Sequence, residues 1–136
     1  MKKELEEKLY EDFPQLFRDR NEPINRSLML YGCDCGNGWY NLIYETCEKL
    51  MANNPEGCFR VVFVQIKEKF GGLRIYIRNG TDELYNILQE TENKSYTICE
   101  MCGSEENVYL NKEGWITSLC PACHETRDER RLPCVY

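Results

Sequence analysis

Four cysteines stand out by type and spacing. Cys99 and Cys102 form one Cys-x2-Cys pair, Cys120 and Cys123 form a second, and 17 residues lie between the pairs. Thiolate is a soft, charged donor, and a Cys-x2-Cys turn lets two sulfurs reach one ion from a short length of chain. Two such pairs at this separation predict a tetrahedral zinc site. Four thiolates fill the coordination sphere, so the expected Zn2+ is structural rather than catalytic. Gly103 supports the first turn, and His124, the one histidine, is expected on a helix surface or beside the ligands rather than among them.

A second constellation is looser. Gly36-Asn37-Gly38 runs straight into Trp39 and Tyr40. Bare glycines at a helix start can offer backbone N–H groups to an anion, and flat aromatic faces can stack a base. Lys67, Lys69, Arg74 and Arg78 lie on a separate cationic segment with Tyr76 among them. Each feature also has a plainer reading: a tight turn, a core indole, a solvated strand face. If the two regions face each other they make a pocket for a phosphate-bearing aromatic ligand such as a nucleotide. In that pocket Trp39 and Tyr40 would stack, Asn37 and the Gly38 backbone would hold phosphate, and Lys69 and Arg74 would neutralise charge. Cys33 and Cys35 could hold a second metal with Cys47 or Cys58, but no second pair of matching spacing supports this. No histidine lies outside the zinc segment to serve a nucleophile, and the carboxylates are scattered along helices. A binding protein is therefore expected, not an enzyme.

These groups sit in a chain of 136 residues with a formal net charge of −6. General phosphate neutralisation favours basic proteins, so any anion site here must be local. No apolar run is long enough to span a membrane, and the N-terminal residues lack the apolar run of a signal peptide. A cytoplasmic setting follows. Nine cysteines in a reducing compartment read as four ligands plus five thiols, Cys33, Cys35, Cys47, Cys58 and Cys134, mostly buried.

Apolar periodicity predicts the positioning elements. Lys3 to Arg20 reads as helical with an interruption at Pro14. Leu28 to Tyr31 reads as extended, and Gly32 to Gly38 as a loop. A second helix runs from Trp39 to Ala52, its buried stripe at Trp39, Leu42, Ile43, Thr46, Cys47 and Leu50. Asn53 to Gly57 is a turn. Phe59 to Phe70 and Leu73 to Arg78 form a hairpin around Gly71-Gly72. That turn would set Lys69 opposite Arg74, Phe70 opposite Leu73 and Lys67 opposite Tyr76. One face carries Ile66, Phe70, Leu73, Ile75 and Ile77, with Glu68 as the misfit. Thr81 caps a third helix to about Asn93.

The zinc segment then orders itself as a knuckle, a hairpin with strands at Val108–Leu110 and Trp115–Thr117, and a helix opening at the second ligand pair. That is treble-clef order. The pair spacing and Leu119-Cys120-Pro121-Ala122-Cys123 resemble GATA-type zinc fingers. Their basic residues are replaced here by Glu105, Glu106 and Glu113, so the resemblance implies the fold and the four ligands. The expected class is α+β: a small helix/β-hairpin domain over residues 1–94, followed by a treble-clef zinc finger over residues 95–136.

Taken together, Cys35-Gly36-Asn37-Gly38-Trp39, Lys67-Glu68-Lys69-Phe70-Gly71-Gly72-Leu73-Arg74 and the two cysteine pairs around Trp115 resemble a group of small zinc-finger proteins of bacteriophages and prophages. The resemblance runs from about Tyr10 to His124. It implies a phage setting and interference with host machinery. One route is counter-defence by sequestering a nucleotide signal. The other is an adaptor that binds a host protein or nucleic acid through the zinc finger. Subunit number is left open, a homo-oligomer included.

Overall fold

The computed structural model describes residues 1–53 and 60–131, with the backbone alone for 128–131. In chain order the elements are α1 (Lys3–Asp12), β1 (Cys33–Asp34), α2 (Tyr40–Ala52), β2 (Val62–Lys69), β3 (Gly72–Arg78), α3 (Asp82–Ser95), β4 (Tyr109–Asn111), β5 (Thr117–Leu119) and α4 (Pro121–Arg131). Short 3-10 turns occupy Met29–Tyr31 and Asn37–Trp39. The fold is α+β, as expected. β2 is central in a three-stranded sheet, parallel to β1 and antiparallel to β3, while β4 and β5 form a separate hairpin.

The α2 stripe is the one the periodicity predicts. Leu42, Ile43, Thr46, Cys47 and Leu50 of α2 are all buried. Thr46 solves its own polarity by donating to the Leu42 carbonyl at 2.7 Å and bonding Thr91 Oγ1 of α3 at 2.8 Å. Thr81 caps α3, its hydroxyl oxygen accepting from the Leu84 N–H at 3.3 Å. These helices cover a core of Leu9, Leu16, Phe17, Phe63, Ile66, Leu73 and Leu84 on the sheet.

The N-terminal segment differs from expectation. α1 stops at Asp12, and residues 14–20 are turns rather than a second helix. Pro14 has no N–H and its ring opposes the carbonyl four residues back. The chain turns instead, with the Leu16 and Phe17 N–H groups bonding the Phe13 carbonyl. Leu16 and Phe17 still reach the core. Leu28 to Tyr31 is not extended either. Ser27 Oγ accepts from the Met29 N–H at 3.1 Å, a local bond that competes with strand pairing. The short strand falls one turn later, at Cys33–Asp34.

The hairpin turn is one residue earlier than expected. Lys69 pairs with Gly72, Lys67 with Arg74, and Gln65 with Tyr76. Phe70 and Gly71 form the turn, at φ 53° and 85°. Three contacts hold it there. Glu68 Oε2 accepts from the Gly71 N–H at 2.7 Å, Ser118 donates to the Gly71 carbonyl at 2.6 Å, and a Cβ on Gly72 would strike the Tyr96 ring. The slip moves each partner by two residues, so the strand faces keep their members. Phe70 is the exception, leaving the apolar face for solvent. A bulge between Phe63 and Gln65 then turns Phe63 into the core,. Beyond Asn53, the turn expected to Gly57 lies outside the described residues, as do Cys58 and Phe59.

Candidate metal centre and the adjoining cleft

The four cysteines predicted as ligands converge. Their sulfurs lie within 4.8 Å of one another. Cys102 Sγ and Cys120 Sγ are 3.7 Å apart. A tetrahedron of roughly 2.3 Å Zn–S bonds has edges of about 3.8 Å, whereas a disulfide would need about 2.05 Å. The first knuckle is closed by the Cys99 N–H to the Ser104 carbonyl at 2.8 Å and the Gly103 N–H to the Cys99 carbonyl at 2.9 Å. Gly103 sits at φ 81°, where a side chain would be strained. Burial opposes ionisation of Cys99, but backbone N–H groups of Cys102, Cys120 and Met101 favour its thiolate and hold the thiol down at about 7. The donor set and spacing therefore fit a four-coordinate metal.

His124 is buried, not on the surface of α4. Its ring stacks on Tyr109 with centroids 4.1 Å apart, and Nε2 donates to the Tyr109 carbonyl at 3.2 Å. It ties α4 to β4. Cys33, Cys35 and Cys47 are buried thiols whose ionisation burial suppresses. Among the described residues they form no second metal-binding group; Cys58 and Cys134 lie outside those residues.

The Gly-rich loop does hold an anion, and the anion is internal. The Gly36 N–H donates to Glu100 Oε2 at 2.9 Å, and the Gly38 N–H to the Glu100 carbonyl at 2.7 Å. A Cβ on Gly38 would overlap the Cys99 carbonyl oxygen. Asn37 Oδ1 accepts from the Lys2 N–H at 2.7 Å. Trp39 is fully buried, its indole N–H donating to the Ile98 carbonyl at 2.9 Å. Tyr40 leans on Tyr44 and the core. The pocket expected at Asn37, Gly38, Trp39 and Tyr40 is therefore corrected: this loop receives the metal knuckle, and Trp39 has no free face to stack a base.

The cations of the hairpin divide. Arg74 lies 3.4 Å from Glu92 of α3, and Arg78 pairs with Asp19 at 3.1 Å while also donating to the Arg26 carbonyl. Tyr76 is exposed on the same strand. Lys67 and Lys69 instead line a cleft of about 290 Å³ with Glu68, Phe70, Trp115 and Ile116. Among the described residues neither lysine has an ion-pair partner. Phe70 is 62% exposed and Trp115 66% exposed. The cleft exists because two hairpins are clasped at Gly71, which takes the Ser118 hydroxyl on its carbonyl and Leu110 where a Cβ would be. The sequence reading missed it because Phe70 and Trp115 were both expected inside strands, whereas β2 ends at Lys69 and β5 begins at Thr117.

No family model, curated protein or solved structure matches the chain. No helix among the described residues is long and apolar enough to cross a membrane.

Proposed function

We propose that this chain is a metal-stapled binding protein that takes a small anionic aromatic ligand, a nucleotide, in the cleft between Phe70 and Trp115. One observation carries the reading. The two exposed rings flank a single cleft whose cations, Lys67 and Lys69, are not spent on acidic neighbours. Base–aromatic stacking contributes about 1–3 kcal/mol per base, and the lysines supply local positive charge in a chain whose net charge is −6. Zn2+ at Cys99, Cys102, Cys120 and Cys123 has a structural part in this reading. It fixes the hairpin that presents Trp115.

The cleft offers ring faces and charge, which suits capture rather than turnover. The resemblance to phage and prophage zinc-finger proteins gives that capture a use in the host cytoplasm, the removal of a nucleotide signal. Calorimetric titration of the metal-loaded protein with adenosine monophosphate, a cyclic dinucleotide and uncharged adenosine tests it. Saturable binding of the nucleotides, much weaker binding of adenosine, and loss of at least tenfold affinity in Lys69→Ala and in Trp115→Ala are expected, on the order of one stacked or charged contact each. Equal binding of adenosine, or none of any probe, would sink the proposal. Affinity that grows with oligonucleotide length and falls steeply with salt would favour a strand binder instead.

A further inference from the structure

We infer that Glu68 makes the Phe70–Trp115 cleft selective for a guanine nucleotide. The inference rests on the reading of that cleft as a nucleotide site and names its base. Glu68 lines the cleft together with Lys67 and Lys69, yet among the described residues it pairs with neither lysine. The strand explains why. Side chains alternate between faces along β2, so Glu68 points opposite to its two neighbours. β1 pairs with β2 only at Ile66 and Lys67. Beyond Lys67 that edge of β2 is free of β1, and both faces rim the cleft there, the lysines from one side and the carboxylate from the other.

The carboxylate is held in place and half used. Its Oε2 accepts from the Gly71 N–H at 2.7 Å, which ties it to the turn that carries Phe70. Its Oε1 takes no hydrogen bond among the described residues and is not sealed away from solvent. Lys69 Nζ lies 5.8 Å from the centroid of the Phe70 ring, so charge for a phosphate and a ring for a base are adjacent. A carboxylate at the rim of such a site repels phosphate. It becomes favourable only toward a ligand that brings N–H donors as well as negative charge.

Base chemistry narrows the choice. An ionised carboxylate accepts hydrogen bonds and donates none, and its two oxygens offer about four lone-pair sites, so Oε2 has room for Gly71 and a ligand at once. Guanine presents two adjacent donors on its pairing edge, N1–H and the N2 amino group. Adenine sets its amino group beside the N1 acceptor, and cytosine sets its own beside the N3 acceptor. Uracil flanks one N–H with two carbonyls. Facing Glu68, each of these three brings a lone pair against the carboxylate, whereas guanine meets it with both donors.

Calorimetric titration of the metal-loaded protein with guanosine, inosine and adenosine monophosphates tests this. All three carry the same phosphate and a purine to stack. Guanosine monophosphate should bind at least tenfold more tightly than adenosine monophosphate, the scale of one hydrogen bond to a charged group. Inosine monophosphate, which lacks only the N2 amino group of guanine, should fall between them. Glu68→Gln keeps an oxygen for the Gly71 N–H and should bring the guanine-to-adenine affinity ratio toward one by weakening guanosine monophosphate. Equal affinity of the parent for the guanine and adenine nucleotides, or a guanine preference that survives in Glu68→Gln, would overturn the inference and leave the cleft a nucleotide site. Binding of none of the three would overturn both.

Discussion

Gly38 lies where the loop backbone meets the knuckle, with no space for a methyl group beside the Cys99 carbonyl. Both sides of that contact are main chain, so neither can swing away. Gly38→Ala should cost about 1–3 kcal/mol, as overpacking does, read as a lower denaturant midpoint. Trp39 poses the complementary case. Trp39→Phe would keep most of the apolar volume but leave the Ile98 carbonyl without its indole donor, a loss of about 1–3 kcal/mol for a buried unpaired group. Nucleotide affinity should be unchanged once the variant is folded. Tyr10 carries a pH dependence. Burial, with Glu6 nearby, pushes its hydroxyl up to about 12 from 10.0. The unfolded chain then loses that proton first, so stability falls as pH rises between those two values. Tyr10→Phe should flatten the alkaline limb of the stability profile in that window.

At the scale of elements, the Phe70–Gly71 turn carries strain and, in the proposed reading, one of the two rings that would meet the ligand. Phe70 holds φ 53°, a conformation that costs a residue with a side chain roughly 1–2 kcal/mol. Phe70→Gly should therefore leave the melting temperature equal or higher while weakening the ligand at least tenfold, a separation that a purely structural residue would not give. The same turn shows what local sequence conveys. α2 was legible because its stripe, and the start of α3 because its Thr81 cap, is encoded within a few residues. The metal site was legible because ligand chemistry dictates the spacing of Cys99, Cys102, Cys120 and Cys123. The hairpin register was not, since Gly71-Gly72 and Phe70-Gly71 are both plausible turns locally. Glu68, Ser118 and Tyr96 decide between them, and two of those lie in other elements. Gly36-Asn37-Gly38 was read as backbone offered to an external anion; instead the Gly36 N–H meets the chain's own Glu100 carboxylate and the Gly38 N–H the Glu100 carbonyl.

Across the whole molecule, the four-cysteine segment and the helix–sheet core are joined at two places. The knuckle closes on the Gly36–Trp39 loop, and the β4–β5 hairpin is clasped to Gly71. A structural metal at the four cysteines would contribute folding free energy directly, so its loss should reach both places. Cys102→Ser, or a chelator, should lower the unfolding temperature of the entire chain in one transition, followed by circular dichroism. A melt in which the core is unaffected by metal removal would contradict that coupling. The Phe70–Trp115 cleft is a product of the second junction. It brings together residues about as far apart in sequence as the two hairpin tips, which no short motif could announce.

The most direct test is tryptophan fluorescence during titration of the metal-loaded protein with adenosine monophosphate, in the parent and in Trp115→Phe. Trp39 is buried and Trp115 is largely exposed, so their responses are separable. Saturable quenching in the parent, absent in Trp115→Phe although a calorimeter still registers weaker binding, is the expected result. Quenching that persists in Trp115→Phe, or no change in the parent at any concentration, would place the ligand elsewhere and contradict the account.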